Sequence, residues 1–152
     1  MDLKVFRLRH NAKLPKRAHD GDAGMDFYFC RKQDSAKSIP VYPGETVLFP
    51  TGIKVEIPKD YMLEIKNKSS IAAKKQLLVG ACVIDSGYDG EVFINLHNVG
   101  HSPQMIRYGD KIAQLVMIPV VAFRPCLIQG NLYQEPITIS DRADGALGST
   151  GS

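Results

Sequence analysis

Cysteine is scarce in the 152 residues: Cys30, Cys82 and Cys126 are the whole supply. Their number is odd, they stand far apart, and no Cys-x-x-Cys pair occurs. This argues against a disulfide framework and against a zinc site built on cysteines. A reducing compartment fits best. Long hydrophobic runs are missing too. The first residues hold no apolar stretch of signal-peptide length, and no segment approaches about 20 apolar residues. The expectation is a soluble intracellular protein, cytoplasmic or nuclear, with no membrane partner. Charge of one sign is also lacking. The net charge of +3 is too small to indicate direct nucleic-acid binding. Helical periodicity is nearly absent, and neither an internal repeat nor a second domain is visible.

What is present is strand after short strand. Asp2 to Arg9 mixes Leu3, Val5, Phe6 and Leu8 with basic residues and reads as a first strand. Asn11 to Asp22 has no period and reads as a loop. It leads into an aromatic strand, Asp22 to Phe29, with Asp26 at the junction. Further strands are expected at 39–41, 46–49, 53–57 and 61–66. Within 53–57 apolar and charged residues alternate, the period of a strand with one wet face. Ser69 to Lys75 breaks the pattern. Ala and Lys favour helix, and Ser69 or Ser70 is a plausible N-cap. After it come strands at 77–79 and 104–107, the long apolar strand Lys111 to Val121, and a weaker one from Phe123 to Gln129. Many short strands with frequent turns and one short helix indicate an all-β barrel or sandwich.

The stretch Gly80 to Asn98 reads as a β-hairpin. The apolar run Ala81-Cys82-Val83-Ile84 ends on Asp85, Ser86-Gly87 turns the chain, Tyr88 follows, and Glu91 to Leu96 returns in alternation. Its closed end would hold a carboxylate and a phenol three residues apart. Such a carboxylate can act as a base toward water. The plainer reading is an Asp that opens a turn.

Other polar groups look out of place as fold requirements. Asp26 stands at a strand start, Lys68 precedes Ser69 and Ser70, and Gln114 lies in an apolar strand. Arg142 begins a Gly-rich tail, 141–152, that cannot bury enough surface to order itself. Serines opening a helix suit a phosphate. Lys68 and Arg142 add positive charge, and a Gly-rich segment can wrap a phosphate chain closely. Each has a plainer reading as well: Ser69 as a cap, Gln114 as a satisfied polar group, the tail as a loose terminus.

Taken in order, these segments resemble the five motifs of the trimeric dUTPase family. They are Ala23-Gly24-Met25-Asp26, Lys68-Ser69-Ser70-Ile71-Ala72, Val83-Ile84-Asp85-Ser86-Gly87-Tyr88-Asp89-Gly90, Gly109-Asp110-Lys111-Ile112-Ala113-Gln114-Leu115, and Arg142 to Gly151. The resemblance spans nearly the whole chain. It implies a jelly-roll-like distorted β-barrel over 1–140, a homotrimer with sites at the subunit boundaries, and a tail, 141–152, that closes the site. It implies Mg²⁺-dependent hydrolysis of dUTP to dUMP and pyrophosphate, which keeps uracil out of DNA.

The roles implied by the resemblance make chemical sense. Asp85 would be general base for a water attacking the α-phosphorus. Tyr88 would lie under the deoxyribose, where a 2′-hydroxyl would clash and lose its hydration. The backbone of Ala81, Cys82, Val83 and Ile84 would read the uracil edge. Lys68, Ser69, Ser70 and Gln114 would hold phosphates. Asp26 would serve the metal through water, or pair with a nearby cation. Arg142 would clamp the terminal phosphate, with Leu147, Gly148, Ser149 and Thr150 closing over the nucleotide.

Four positions depart from the family pattern. Lys68 stands where Arg is usual and loses the two-toothed fork. Cys82 replaces a usual Gly, and Gly87 a common Asp. Leu147 replaces an aromatic residue that stacks on the uracil, a contact worth roughly 1–3 kcal/mol. Leu147→Phe is therefore expected to tighten closure and lower KM for dUTP; unchanged steady-state kinetics would refute this. Two rivals stand beside the main reading. A dCTP deaminase of the same fold would need a catalytic Glu, and none is evident. A regulatory nucleotide-binding module would have no need of Asp85 as a base.

Overall fold

The computed structural model describes residues 2–32, 35–127 and 130. All named strands lie in one compact unit, Met1–Val121. In chain order they are β1 (Lys4–Arg7), β2 (Gly24–Tyr28), β3 (Ser38–Val41), β4 (Thr46–Pro50), β5 (Ile53–Glu56) and β6 (Tyr61–Lys66). After the helix α1 (Ser69–Lys75) come β7 (Leu77–Val79), β8 (Val83–Ile84), β9 (Phe93–Asn98), β10 (Gln104–Arg107) and β11 (Lys111–Pro119). The mostly β class with one short helix is as the sequence reads.

Every ladder among them is antiparallel. The largest sheet has the order β2-β11-β6-β8. A second runs β4-β9-β7, and two ribbons pair β1 with β5 and β10 with β3. Alternation decides which side chains turn inward. On β9, Ile94, Leu96 and Asn98 are buried while their neighbours are half-exposed. On β5, Ile53 and Val55 go in, and Glu56 stays out. Ile53, Val55, Ile94 and Leu96 join Phe27, Phe29, Phe49, Ile106 and Ile112 in one core. Phe29 and Phe49 meet edge to face at 5.2 Å between ring centres.

Three expectations need correction. The stretch from Gly80 to Asn98 is not a hairpin of two paired strands. Val83–Ile84 pairs with β6, Leu63 opposite Ile84, whereas β9 pairs with β4 and β7. The run before Asp85 therefore belongs to one sheet and the run after it to another. Second, neither serine caps the helix. Lys68 occupies the N-cap in extended backbone, with no side-chain cap bond. Ser69 and Ser70 fall in the first turn, exposed, so their hydroxyls are not used as caps. Third, residues 123–127 form no strand. β11 stops at Pro119, whose ring lacks the N–H a ladder needs. Residues 128 and 129 of that expected strand, and the tail from Asp141, lie outside the described residues.

Candidate active site

Two clefts gather the marked residues. The first lies where α1, β10 and the head of β11 meet, beside Asp26 of β2. Register sets Asp26 opposite Gln114 of β11, with Lys111 at the head of that strand. Asp26 is 5% exposed. Lys68 Nζ stands 2.9 Å from its Oδ1, and Lys111 Nζ 2.7 Å from its Oδ2. Burial alone would raise the Asp26 pKa. Hydrogen bonds from Lys111 and then Lys68 outweigh it and hold the carboxyl below its ordinary value. The same bond to Asp26 raises Lys111.

The segment carrying Lys68 is fastened on both sides. Gln114 Nε2 donates to the Asn67 carbonyl at 3.0 Å, and Asn67 Oδ1 accepts the Val79 N–H at 2.7 Å. Gly24 matters here because a Cβ in its place would press on Gln114. The resulting cleft has a volume of about 560 Å³. Lys68, Ser70, Lys75, Arg107, Asp110 and Lys111 line it. Such a rim suits a chain of phosphates. Arg107 and Lys75 were not legible as site residues. No motif marks them, and only the packing of β10 near α1, with Lys75 Nζ donating to the Met105 carbonyl at 2.7 Å, brings them there.

The second cleft, about 240 Å³, is lined by Ala81, Val83, Ile84, Asp85, Tyr88 and Phe93, among others. β8 is the edge strand of its sheet. An edge presents unpaired backbone donors and acceptors, which is what reading a flat heterocycle by its rim requires. The Cys82 carbonyl is already taken by the Ile65 N–H at 2.7 Å, so Cys82 offers less than expected on that side, and its thiol is exposed. Asp85 follows the strand, exposed. The Tyr88 N–H closes the turn onto the Asp85 carbonyl at 3.0 Å, and the Tyr88 hydroxyl donates to the Glu91 carbonyl at 2.8 Å.

The structure thus brings Asp26, Lys68, Ser70 and Gln114 together, with Ser69 exposed beside them. It brings Ala81, Val83, Ile84, Asp85 and Tyr88 together elsewhere. No residue lines both clefts. Arg142, Leu147, Gly148, Ser149 and Thr150 lie outside the described residues.

The dUTPase family model matches residues 10–151, a span that takes in all five motif segments. This chain belongs to the dUTPase family. Its activity is that of a dUTP diphosphatase, hydrolysis of dUTP. A deoxyuridine 5′-triphosphate nucleotidohydrolase of Mycolicibacterium vanbaalenii is 39% identical over 153 residues, covering 98% of this chain and 94% of that protein. Among solved structures, a dUTPase variant of Staphylococcus bacteriophage 80alpha with dUpNHpp has a TM-score of 0.83 at 26% identity and covers 99% of each chain. A dUTPase variant from phage phi11 of S. aureus has a TM-score of 0.74 at 26% identity, over 87% of this chain and 99% of that one. That structure describes the coordination of a structural Mg(II) ion. No helix among the described residues of this dUTPase is long and apolar enough to cross a membrane.

Proposed function

We propose that this dUTPase works as a homotrimer in which the Asp85 cleft of one copy faces the Lys68 cleft of another. The observation that carries this is their separation within one chain. The base and the phosphate cations sit in different clefts. The Asp85 cleft, at about 240 Å³, is also smaller than the roughly 300–1,000 Å³ of a complete ligand pocket. A site that needs a second wall is the natural account of both facts.

In this reading dUTP lies with uracil along the free edge of β8 and its sugar on Tyr88. Asp85 takes a proton from a water. The oxygen of that water bonds to the α-phosphorus, the bond from that phosphorus to the α,β-bridging oxygen breaks, and pyrophosphate leaves. Lys68, Lys111, Ser69 and Ser70 hold the phosphates, and Gln114 fixes the segment that presents them. Arg142, Leu147, Gly148, Ser149 and Thr150 close the site from the tail of a third copy.

The family uses Mg²⁺. Among the described residues there is no group of three or more His, Cys, Asp or Glu to hold a bare cation. Both oxygens of Asp26 already face lysines. The donor set suits phosphate, and Mg²⁺ fits as an ion carried on the triphosphate with several of its own waters. When bound it would neutralise charge on the phosphate oxygens. Asp26 then acts by placing Lys68 and Lys111, with any approach to the metal through water. The three free thiols, Cys30, Cys82 and Cys126, support a reducing compartment.

Pyrophosphate release from dUTP, dCTP, dTTP and UTP, with Mg²⁺ and with chelator, tests the reading. Release from dUTP alone, lost on chelation, is expected. Chelator should leave the melting temperature of the nucleotide-free protein unchanged, because the metal comes with the substrate. Ammonia from dCTP, or equal rates on UTP, would overturn it.

A further inference from the structure

Arg9 and Glu91 are 82 positions apart in sequence, yet their side chains form an ion pair that is largely out of water, 20% and 12% exposed. Arg9 Nη1 donates to Glu91 Oε2 at 3.1 Å, and its second amino group holds the other oxygen. Glu91 Oε1 also accepts the Gly52 N–H at 2.7 Å. Next along the chain, the Val92 carbonyl accepts from Thr51 Oγ1 at 2.7 Å, and the Val92 N–H donates to the Ile53 carbonyl at 2.8 Å. The side chain of Glu91 is therefore locked onto the turn between β4 and β5. Its backbone carbonyl receives the Tyr88 hydroxyl. Gly90 leaves room for this reach, since a Cβ there would overlap the Tyr88 hydroxyl. Glu91 also lines the Asp85 cleft, but no step described above uses its side chain or that of Arg9.

We propose that the Arg9–Glu91 pair is a positioning element for the sugar subsite, fixing the Tyr88 ring, and through its turn Asp85, so that deoxyribose is preferred to ribose. This rests on the reading that Tyr88 lies beneath the sugar. A buried bidentate pair anchored by a third hydrogen bond gives the Glu91 carbonyl a single location. A phenol held at its far end cannot swing aside to admit a 2′-hydroxyl. The turn itself is exposed; the Tyr88 N–H bond to Asp85 and the Lys54–Asp89 ion pair hold its backbone, and the Glu91 carbonyl holds the far end of the ring.

The experiment compares kcat/KM for dUTP and UTP, and the melting temperature, in four variants. Glu91→Gln keeps an acceptor for Gly52 and removes the charge. Gly90→Ala leaves the pair intact and displaces the Tyr88 hydroxyl; Gly90 has no positive φ, so alanine adds no backbone strain. Arg9→Lys keeps the charge without the fork, and Tyr88→Ala is the reference. Glu91→Gln and Gly90→Ala should each lower the dUTP-over-UTP ratio on the order of tenfold, as small misplacements at a site do. Only Glu91→Gln should also lower the melting temperature clearly, and Arg9→Lys should retain part of the ratio. If Tyr88→Ala lowers the ratio while Glu91→Gln and Gly90→Ala leave it unchanged, the pair is merely structural and the inference falls alone. If Glu91→Gln does not fold, Arg9→Lys decides, and an unchanged ratio in it would overturn the inference. If Tyr88→Ala itself leaves the ratio unchanged, the sugar reading fails and this inference with it.

Discussion

Asp85→Asn is expected to lower dUTP turnover by on the order of 10²–10⁴-fold, the usual contribution of a general base. Nucleotide binding should persist. Asp85 is exposed, and the ion pairs among the described residues do not include it. The turn it opens is closed by its backbone carbonyl, which asparagine retains. The amide is close in size to the carboxylate, so the fold has little reason to change. What is lost is the capacity to accept a proton from water. Single-turnover assays with dUTP, beside a binding titration with a non-hydrolysable analogue, separate the two effects. Turnover within a few-fold of the parent would remove Asp85 from the mechanism. Loss of binding in parallel with turnover would make it a substrate ligand instead.

Asp26→Asn should weaken both stability and catalysis. Breaking a buried pair by removing one partner costs roughly 3–5 kcal/mol. Lys68 and Lys111 are 25% and 43% exposed, so water can repay part of the loss, and about 2–3 kcal/mol is the expected cost. Turnover should fall on the order of 10²-fold, because two phosphate-binding ammonium groups lose their fixed positions. The pH dependence has a definite sign. The folded-state pKa of Asp26 is below its ordinary value, so its contribution is fully present above about pH 4 and is lost as pH falls through the lower, folded-state value. Melting temperatures measured from neutral pH into acid should converge for parent and variant at the acid end. Curves that stay parallel would show that the pairing contributes nothing to folding.

Much of this molecule was legible in its sequence, for a simple reason. Alternation in Ile53 to Glu56 and Phe93 to Leu96 reports which face of a strand is wet, and that is a local property; the second strand, expected at Glu91 to Leu96, begins and ends two residues later, at Phe93–Asn98. Polar residues stranded in apolar surroundings, Asp26 and Gln114, marked the phosphate cleft. Partner choice was not legible. Val83 and Ile84 look the same whether they pair with β9 or with β6, since pairing depends on where remote chain lies. The bond between Lys111 and Asp26 follows from the β2–β11 register, and Arg9 with Glu91 from a turn remote in sequence from both of them; no local pattern carries such facts. The helix cap failed for a subtler reason. Serine is a good cap in isolation, but Asn67 is bonded to both β11 and β7, and that fixes where the helix can begin.

The separation of the two clefts has a genetic consequence. Under the proposed assembly, a chain dead at Asp85 and a chain dead at Lys68 each still possess the half that the other lacks. Refolded together in equal amounts, they would form mixed rings in which one boundary joins two intact halves. By cyclic symmetry about one site in four would regain activity, from two parents that have none. Complementation between inactive alleles, at that fraction, would be the signature of an active site that no single copy owns.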